Sequence, residues 1–447
     1  MIVDSILINA KAYLKGQIVD CCIAIEEGKI YKIGKETQMP SADEKTDLHN
    51  LLVLPGLIDE HVHLRDEGKA YKEDFVSGTS AAAAGGFTTV LDMPNNDPVT
   101  MSVATLRARM TLAARRTLVN VGLYSEFPRK LSELHDIVSV GAVGFKLFMG
   151  SQIGGLNIDE DEALQDALKE VAPLKVPVAV HAEDKTLLSA NETKLRQAKK
   201  VSPAAFQQAH SEEVELRAIE RLIKISASTE VRLHFCHVST AKGLEAISEA
   251  KKAGRKVTCE VTPNHLLLSA SDLGRYGQLV IMAPPLRDKD QVKALWKGVE
   301  EGTIDTVGSD HAPHAANEKV ASSVWDVKVG VPGLETTLPL MLTEVRKNRL
   351  SFAQVIGLLA EKPAEIFGLK DCGLLEQGKN ADATVVDFNE KFKVDASKFK
   401  SKAKFSPYEG WEVVGKPIKT YVNGNLVFDD GEIVAKAGGG SIVRGEF

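Results

Sequence analysis

Val231-Arg232-Leu233-His234-Phe235-Cys236-His237-Val238-Ser239 is followed by Thr240-Ala241-Lys242-Gly243-Leu244-Glu245-Ala246-Ile247-Ser248-Glu249-Ala250-Lys251-Lys252-Ala253-Gly254 and then by Lys256-Val257-Thr258-Cys259-Glu260-Val261-Thr262-Pro263. The first run is short and apolar and closes on polar residues. The second places Leu244, Ile247 and Ala250 at helical spacing and stops at Gly254. The third is again short and rich in β-branched residues. A strand, a helix and a strand in succession form the unit from which parallel sheets are built.

The same alternation extends on both sides of this stretch, from about Pro55 to Leu369. Strand-like runs recur as FTTVLDM, NVGLYSEF, GAVGFKLF, VPVAVHAED, LVIMAPP and TVGSDHAP. Helix-like segments such as EALQDALKEVAPL and SEEVELRAIERLIKIS lie between them. With roughly eight strands, a closed (β/α)8 barrel of TIM type is the economical solution. The two ends of the chain differ from this middle and resemble each other in texture. Both are made of short β runs with turns, expected to be antiparallel, and Val422-Asn423-Gly424-Asn425-Leu426 carries a hairpin signal. The expected architecture is therefore α/β, with a barrel over residues 55–369 and a small β domain assembled from residues 1–54 and 370–447. Ser401–Gly410 reads as a loop reaching out of that domain.

Composition narrows the function classes. Of 447 residues, 44% are hydrophobic and 26% charged, with a formal net charge of -6, which is ordinary for a soluble globular chain. Scattered positive charge gives no field for a nucleic-acid backbone or an anionic membrane surface. No apolar run approaches the roughly 20 residues that span a bilayer, and the opening MIVDSILINAKAYLKG reads as a strand and not as a signal peptide. The five cysteines, Cys21, Cys22, Cys236, Cys259 and Cys372, are odd in number and lie mostly in apolar runs. They read as buried reduced thiols, and the expected compartment is the cytoplasm.

Polar residues repeatedly close the strand-like runs, where barrel side chains converge on one rim. In Leu57-Ile58-Asp59-Glu60-His61-Val62-His63 the two histidines are two apart, so both can reach one metal ion. Alone that pattern carries little. His181 follows VPVAV, His237 follows LHFC and Asp310 follows TVGS, so three later strands end in potential ligands suited to zinc and related divalent ions. His234, three residues before His237, should face the other way as a packing or supporting residue, and His49 and His135 fall outside any such run. Lys146 sits in the apolar Gly144-Phe145-Lys146-Leu147-Phe148, where an unpaired ammonium is costly. It requires either a carboxylate partner at a strand end or, as a neutral amine beside cations, conversion to a carbamate by carbon dioxide.

Asp59-Glu60-His61-Val62-His63-Leu64-Arg65, Lys72-Glu73-Asp74, Met93-Pro94-Asn95-Asn96, Gly144-Phe145-Lys146, His181-Ala182-Glu183-Asp184, His237-Val238-Ser239, Gly308-Ser309-Asp310-His311-Ala312-Pro313-His314 and Pro332-Gly333-Leu334-Glu335-Thr336 occur in that order over nearly the whole chain. Together they resemble the dihydroorotases of the amidohydrolase superfamily. The resemblance implies a (β/α)8 barrel with two divalent cations, zinc by donor type. His61, His63 and Asp310 would bind one, His181 and His237 the other, and N6-carboxylated Lys146 would bridge them. It also implies that Arg65, Asn95 and His314 contact the substrate, and that Asp310 acts as base and then acid around a metal-activated hydroxide. The implied reaction is the reversible cyclisation of N-carbamoyl-L-aspartate to L-dihydroorotate in pyrimidine biosynthesis. Homo-oligomers and association with aspartate transcarbamoylase are the partners that the resemblance allows.

The chain departs from the family pattern at three places. Arg65-Asp66-Glu67-Gly68 stands where relatives commonly read Arg-Glu-Pro-Gly, Ala283 replaces an Asn before Pro284-Pro285, and Asn264 replaces a His before His265. The neighbouring alternatives are allantoinases, which usually read Met-Pro-Leu-Asn at residues 93–96, and dihydropyrimidinases or hydantoinases, which lack the Arg after His-x-His. A non-catalytic scaffold would be expected to have lost a ligand, and all six candidates are present.

Overall fold

The computed structural model describes residues 2–447. Its N-terminal part supplies five strands to one sheet: β1 (Ile2–Leu14), β2 (Gln17–Glu26), β3 (Lys29–Gly34), β4 (Ser41–Asp47) and β5 (Leu52–Pro55). β1, β2 and β3 are antiparallel neighbours, as the short runs predict, but β4 and β5 both run parallel to β1. The length of β1 permits this. Ile2–Ile8 pair with β4 and Lys11–Ala12 with β5, and the ladder to β2 shifts register between Leu7 and Ala10, around Asn9 with φ 54°.

The barrel follows. Its staves are β6 (Leu57–Val62), β7 (Phe87–Asp92), β8 (Asn120–Leu123) continued by β9 (Ser125–Glu126), β10 (Phe145–Phe148), β11 (Pro177–His181), β12 (Arg232–Phe235), β13 (Val257–Val261) and β14 (Thr306–Val307). All are parallel. β8 pairs with β7 and β9 with β10, so one stave is broken at Tyr124, and a parallel bridge between Val62 and His311 links the first stave to the last. Amphipathic helices cover the outside. Ala241–Lys252 is capped by Thr240, whose Oγ1 accepts from Gly243 N, and it buries Leu244, Ile247 and Ala250. The fold is the α/β barrel with a terminal β domain that the alternation predicts.

Two further expectations require correction. Residues 279–285 do not form a strand: Gly277–Val280 is a short 3-10 turn, and Pro284 and Pro285 beyond it cannot donate to a ladder. Residues 401–410 do not reach outward. The backbone N–H groups of Lys400 and Ser401 donate to Glu335 at 2.9 and 3.0 Å, and Ser401 Oγ bonds Glu73, so the loop folds down onto the barrel.

The C-terminal strands complete the sheet: β15 (Ala383–Lys393), β16 (Glu412–Val422), β17 (Asn425–Asp429) and β18 (Glu432–Ile433). β15 lies antiparallel to β5, with Ala383 opposite Pro55, which joins the two ends of the chain into nine strands. The β16–β17 turn has Asn423 at φ 49° and Gly424 at φ 77°, the left-handed pair demanded by a tight hairpin. Cys21, Cys22, Cys236, Cys259 and Cys372 are buried and unbridged. Among the described residues no helix is long and apolar enough to cross a membrane.

Candidate metal centre

The strand ends present His61, His63, His181, His237 and Asp310 at one rim because the backbone turns sharply there. Arg65, His237 and Asp310 adopt φ of 63°, 37° and 45°, left-handed conformations that cost about 1–3 kcal/mol each and cluster at functional sites. Buried carboxylates hold these turns. Asp59 Oδ1 accepts from the N–H groups of His61 and Ser309, both at 3.1 Å. Asp92 accepts from Leu64 N at 2.8 Å and from Arg109 Nε at 2.9 Å.

The imidazoles converge. Nε2 of His61 and of His63 lie 3.3 and 3.2 Å from Oδ1 of Asp310, and the three residues form one potential ligand set. His181 Nδ1 lies 3.1 Å from His237 Nε2, and the His61 and His237 ring centroids are 5.2 Å apart. The opposite ring nitrogens of three of these histidines are engaged by acceptors: His61 Nδ1 by Glu260 at 2.9 Å, His63 Nδ1 by Asn95 Oδ1 at 2.7 Å and His181 Nε2 by Glu183 at 2.8 Å. An acceptor on one nitrogen fixes the proton there and turns a lone pair toward the centre. Burial lowers the pKa of His61, His63 and His237, which favours the neutral form that ligates metals, and burial raises that of Asp310. His237 Nδ1 is buried without a partner.

Lys146 is fully buried, and the side-chain atom it meets is Cys236 Sγ at 3.1 Å. The ion pair with a strand-end carboxylate is not formed. Burial pushes the Cys236 thiol up to about 12, so that group supplies no counter-charge. An unpaired lysine beneath neutral imidazoles is costly as an ammonium and suits an anionic carbamate. The donor set thus fits two divalent cations, with His61, His63 and Asp310 on one side, His181 and His237 on the other and Lys146 below.

Above this cluster opens a cavity of about 380 Å³ lined by the histidines and Asp310 and also by Arg65, Asn95, His314, Ala283, Val329 and Gly330. Arg65 is 8% exposed, its Nε is buried with no partner, and no ion pair or hydrogen bond from its guanidinium is formed among the described residues. Burial lowers its pKa to about 10, which leaves it cationic at neutral pH. Asn95 spends its oxygen on His63, so its amide nitrogen is left for the cavity. His314, expected to contact the substrate, lies in the cavity wall, where Nδ1 is 3.0 Å from Lys72 Nζ and Nε2 is 2.9 Å from Val329 O. One cavity wall is clamped by buried Lys319, which donates to the carbonyls of Ile281, Lys328 and Gly330 at 2.9, 2.9 and 2.8 Å.

Residues 52–427 match the family model described as the amidohydrolase family. This chain belongs to that family. It is 37% identical over 412 residues to a dihydroorotase of Methanothermobacter thermautotrophicus, covering 92% of each chain. It is 34% identical over 447 residues to an L-hydantoinase of Paenarthrobacter aurescens, covering 98% of each. Among solved structures, an L-hydantoinase (dihydropyrimidinase) from Arthrobacter aurescens superposes with a TM-score of 0.95 at 33% identity, covering 99% of this chain and 100% of that one.

Other buried polar residues of this amidohydrolase complete the centre. Glu260 holds His61 and also accepts from His237 N at 3.0 Å; a charged residue inside the apolar Val257–Val261 was a signal the residue pattern offered. His234, read as a packing or supporting residue facing away from His237, is buried under the site in that supporting role, with Nε2 3.9 Å from Glu260 and its ring edge-on to Phe367 at 5.5 Å. Glu183 accepts from His210 Nδ1 at 2.7 Å, and burial, which would raise its pKa, is outweighed by its two imidazole neighbours, which hold it below the usual carboxylate range. His210 had no sequence signal, since it lies outside every strand run. Two of the three departures have structural partners: Asn264 Oδ1 accepts from Tyr408 Oη at 2.9 Å, and Ala283 lines the cavity, with His265 Nε2 donating to the neighbouring Pro284 carbonyl at 3.1 Å. His49 and His135 are exposed.

Proposed function

We propose that this protein is a cyclic-amide hydrolase of the dihydroorotase type, interconverting N-carbamoyl-L-aspartate and L-dihydroorotate. The observation that carries the reading is Arg65. A buried guanidinium with no protein partner, facing the same cavity as the metal-ligand cluster, calls for an anionic group on the substrate. Dihydroorotate carries a carboxylate on the ring; hydantoin and allantoin do not.

His61, His63 and Asp310 would hold one divalent cation, His181 and His237 the second, with Lys146 as a carbamate between them; zinc suits the donors. Bound cations would supply an acidified water and a polarised amide carbonyl. Arg65 and the Asn95 amide nitrogen grip the substrate carboxylate and fix the ring. Oδ1 of Asp310 is turned to the two imidazoles, which leaves Oδ2 to take a proton from water and deliver it to the leaving ring nitrogen. His314, with both nitrogens engaged, shapes the wall and positions Val329. Buried free cysteines accord with a reducing, cytoplasmic setting.

A second reading, L-hydantoinase, is favoured by Phe148, Ile153 and Leu188, which give the cavity an apolar side able to take a hydantoin substituent. Zinc-loaded protein assayed on dihydroorotate, N-carbamoyl-aspartate, hydantoin, a 5-substituted hydantoin and allantoin separates the two. Highest kcat/KM on the first pair is expected; a preference for the substituted hydantoin would replace the first reading with the second.

A further inference from the structure

Beside His181, a chain of polar groups formed by Glu183 and His210 lines the same cavity as the metal-ligand cluster. Glu183, 1% exposed, receives His181 Nε2 on Oε2 at 2.8 Å and His210 Nδ1 on Oε1 at 2.7 Å. An ionised carboxylate accepts and cannot donate, so both facing nitrogens carry hydrogen, and His181 Nδ1 is left as the lone pair turned toward His237. His210 is itself held in place. Its ring stacks on Phe206 with centroids 4.0 Å apart, its carbonyl accepts from Arg287, and Asn191 Nδ2 donates to the preceding Ala209 carbonyl at 3.0 Å. It closes the helix Pro203–Ala209, which no strand of the barrel carries.

We propose that His210 is a positioning residue of the metal centre: by holding one oxygen of Glu183 it fixes the rotamer of that carboxylate, and through it the ring orientation and tautomer of His181. Without the His210 donor, Glu183 Oε1 is a buried acceptor with no partner, and the carboxylate turns to find one. His181 then loses the acceptor that keeps Nδ1 directed at the cation. The inference rests on the two-cation reading above and adds to it a residue outside all of the ligand-bearing strands. Residues that orient a metal-binding imidazole typically change metal affinity by about 10–100-fold when removed.

The test compares wild type with His210→Phe, which keeps the stacking surface and removes the donor, and with His210→Asn, which restores an N–H close to the position of Nδ1. Zinc equivalents and their affinities are read by competition with a chromophoric chelator. The His181 tautomer in metal-free protein is read from ¹⁵N shifts of labelled histidine. Two equivalents in wild type, a second equivalent weakened about 10–100-fold in His210→Phe, substantial recovery in His210→Asn and an Nε2–H His181 only where the donor is present support the proposal. Two equivalents in wild type with an equally tight second equivalent in His210→Phe overturn it while leaving the two-cation reading intact. Fewer than two equivalents in wild type overturn both. Should the phenylalanine variant fail to fold, His210→Leu takes its place with the same expected outcomes.

Discussion

Glu260 receives His61 Nδ1 at 2.9 Å and, on the same oxygen, the backbone N–H of His237 at 3.0 Å. One buried carboxylate thereby holds a residue from each half of the candidate ligand set. Replacing it with Gln removes the negative charge shared by both donors and, with the amide oxygen kept at Oε1, sets an NH2 at the Oε2 position, 3.2 Å from His61 Nδ1. Glu260→Gln is expected to weaken metal binding by about 10–100-fold, measured by chelator competition; unchanged affinity would remove Glu260 from the centre.

Arg65→Met takes away the cationic group aimed into the cavity. Hydrogen bonds to a charged partner contribute about 1.5–3 kcal/mol, so kcat/KM for dihydroorotate should fall about 10–100-fold. Turnover of hydantoin, which lacks the carboxylate, should change far less. An equal loss on both substrates would mean that the arginine supports the fold and not substrate recognition.

Asp310→Asn keeps an oxygen for a cation but cannot carry a proton between water and nitrogen. Turnover should drop by about 10²–10⁴ in a preparation whose metal content, checked by elemental analysis, matches wild type. Retained turnover would assign the proton transfer to another group.

Lys319 satisfies three carbonyls at once. Lys319→Met leaves the Lys328 and Gly330 carbonyls without this donor, while Ile281 O keeps the Gly330 N–H at 2.9 Å; at about 1–3 kcal/mol for a buried acceptor left unpaired, a loss of about 1–3 kcal/mol is expected in urea unfolding. KM should rise as well, because Val329 and Gly330 form the cavity wall. A midpoint within error of wild type would contradict the clamp.

Glu335 supplies the pH dependence. Burial raises its pKa to about 8 although the N–H groups of Ser401 and Lys400 favour the ionised form. The folded chain thus holds a proton that the unfolded chain releases near the ordinary carboxylate value, about 4.3. The folded state is therefore favoured at low pH, and that contribution is lost as pH rises from about 4.3 toward 8. Unfolding titrations at pH 5, 6.5 and 8 should show stability falling with a component that Glu335→Gln abolishes. An unaltered slope in the variant would locate the proton elsewhere.

The alternation of Val231–Pro263 and its relatives along the chain was enough to read the barrel, because period-2 and period-3.6 patterns report which face each element buries. The site was legible for a related reason: residues that end strands meet at one rim however far apart they lie in sequence. What the pattern could not show was anything set by tertiary geometry. The supporting role of His234 was legible but its neighbour Glu260 was not, because side-chain alternation holds only while the strand continues, and β12 stops at Phe235. His314, for which the resemblance implies a substrate contact, does line the cavity, but its partners Lys72 and Val329 lie in loops without periodicity and could not be read. His210 and Lys319 act through hydrogen bonds that no local spacing encodes.

The pairing of β15 with β5 sets a condition on how this molecule is made. Pro55 meets Ala383 only after the whole barrel has been synthesised, so the sheet is closed by contacts of high sequence separation, roughly 300 residues, which form slowly. Until they form, β5 presents the emerging chain with an unsatisfied edge of Leu52, Val53 and Leu54, apolar and ready to pair with the wrong strand. Yield on expression should therefore depend on translation speed and chaperone supply more than on the stability of the finished protein.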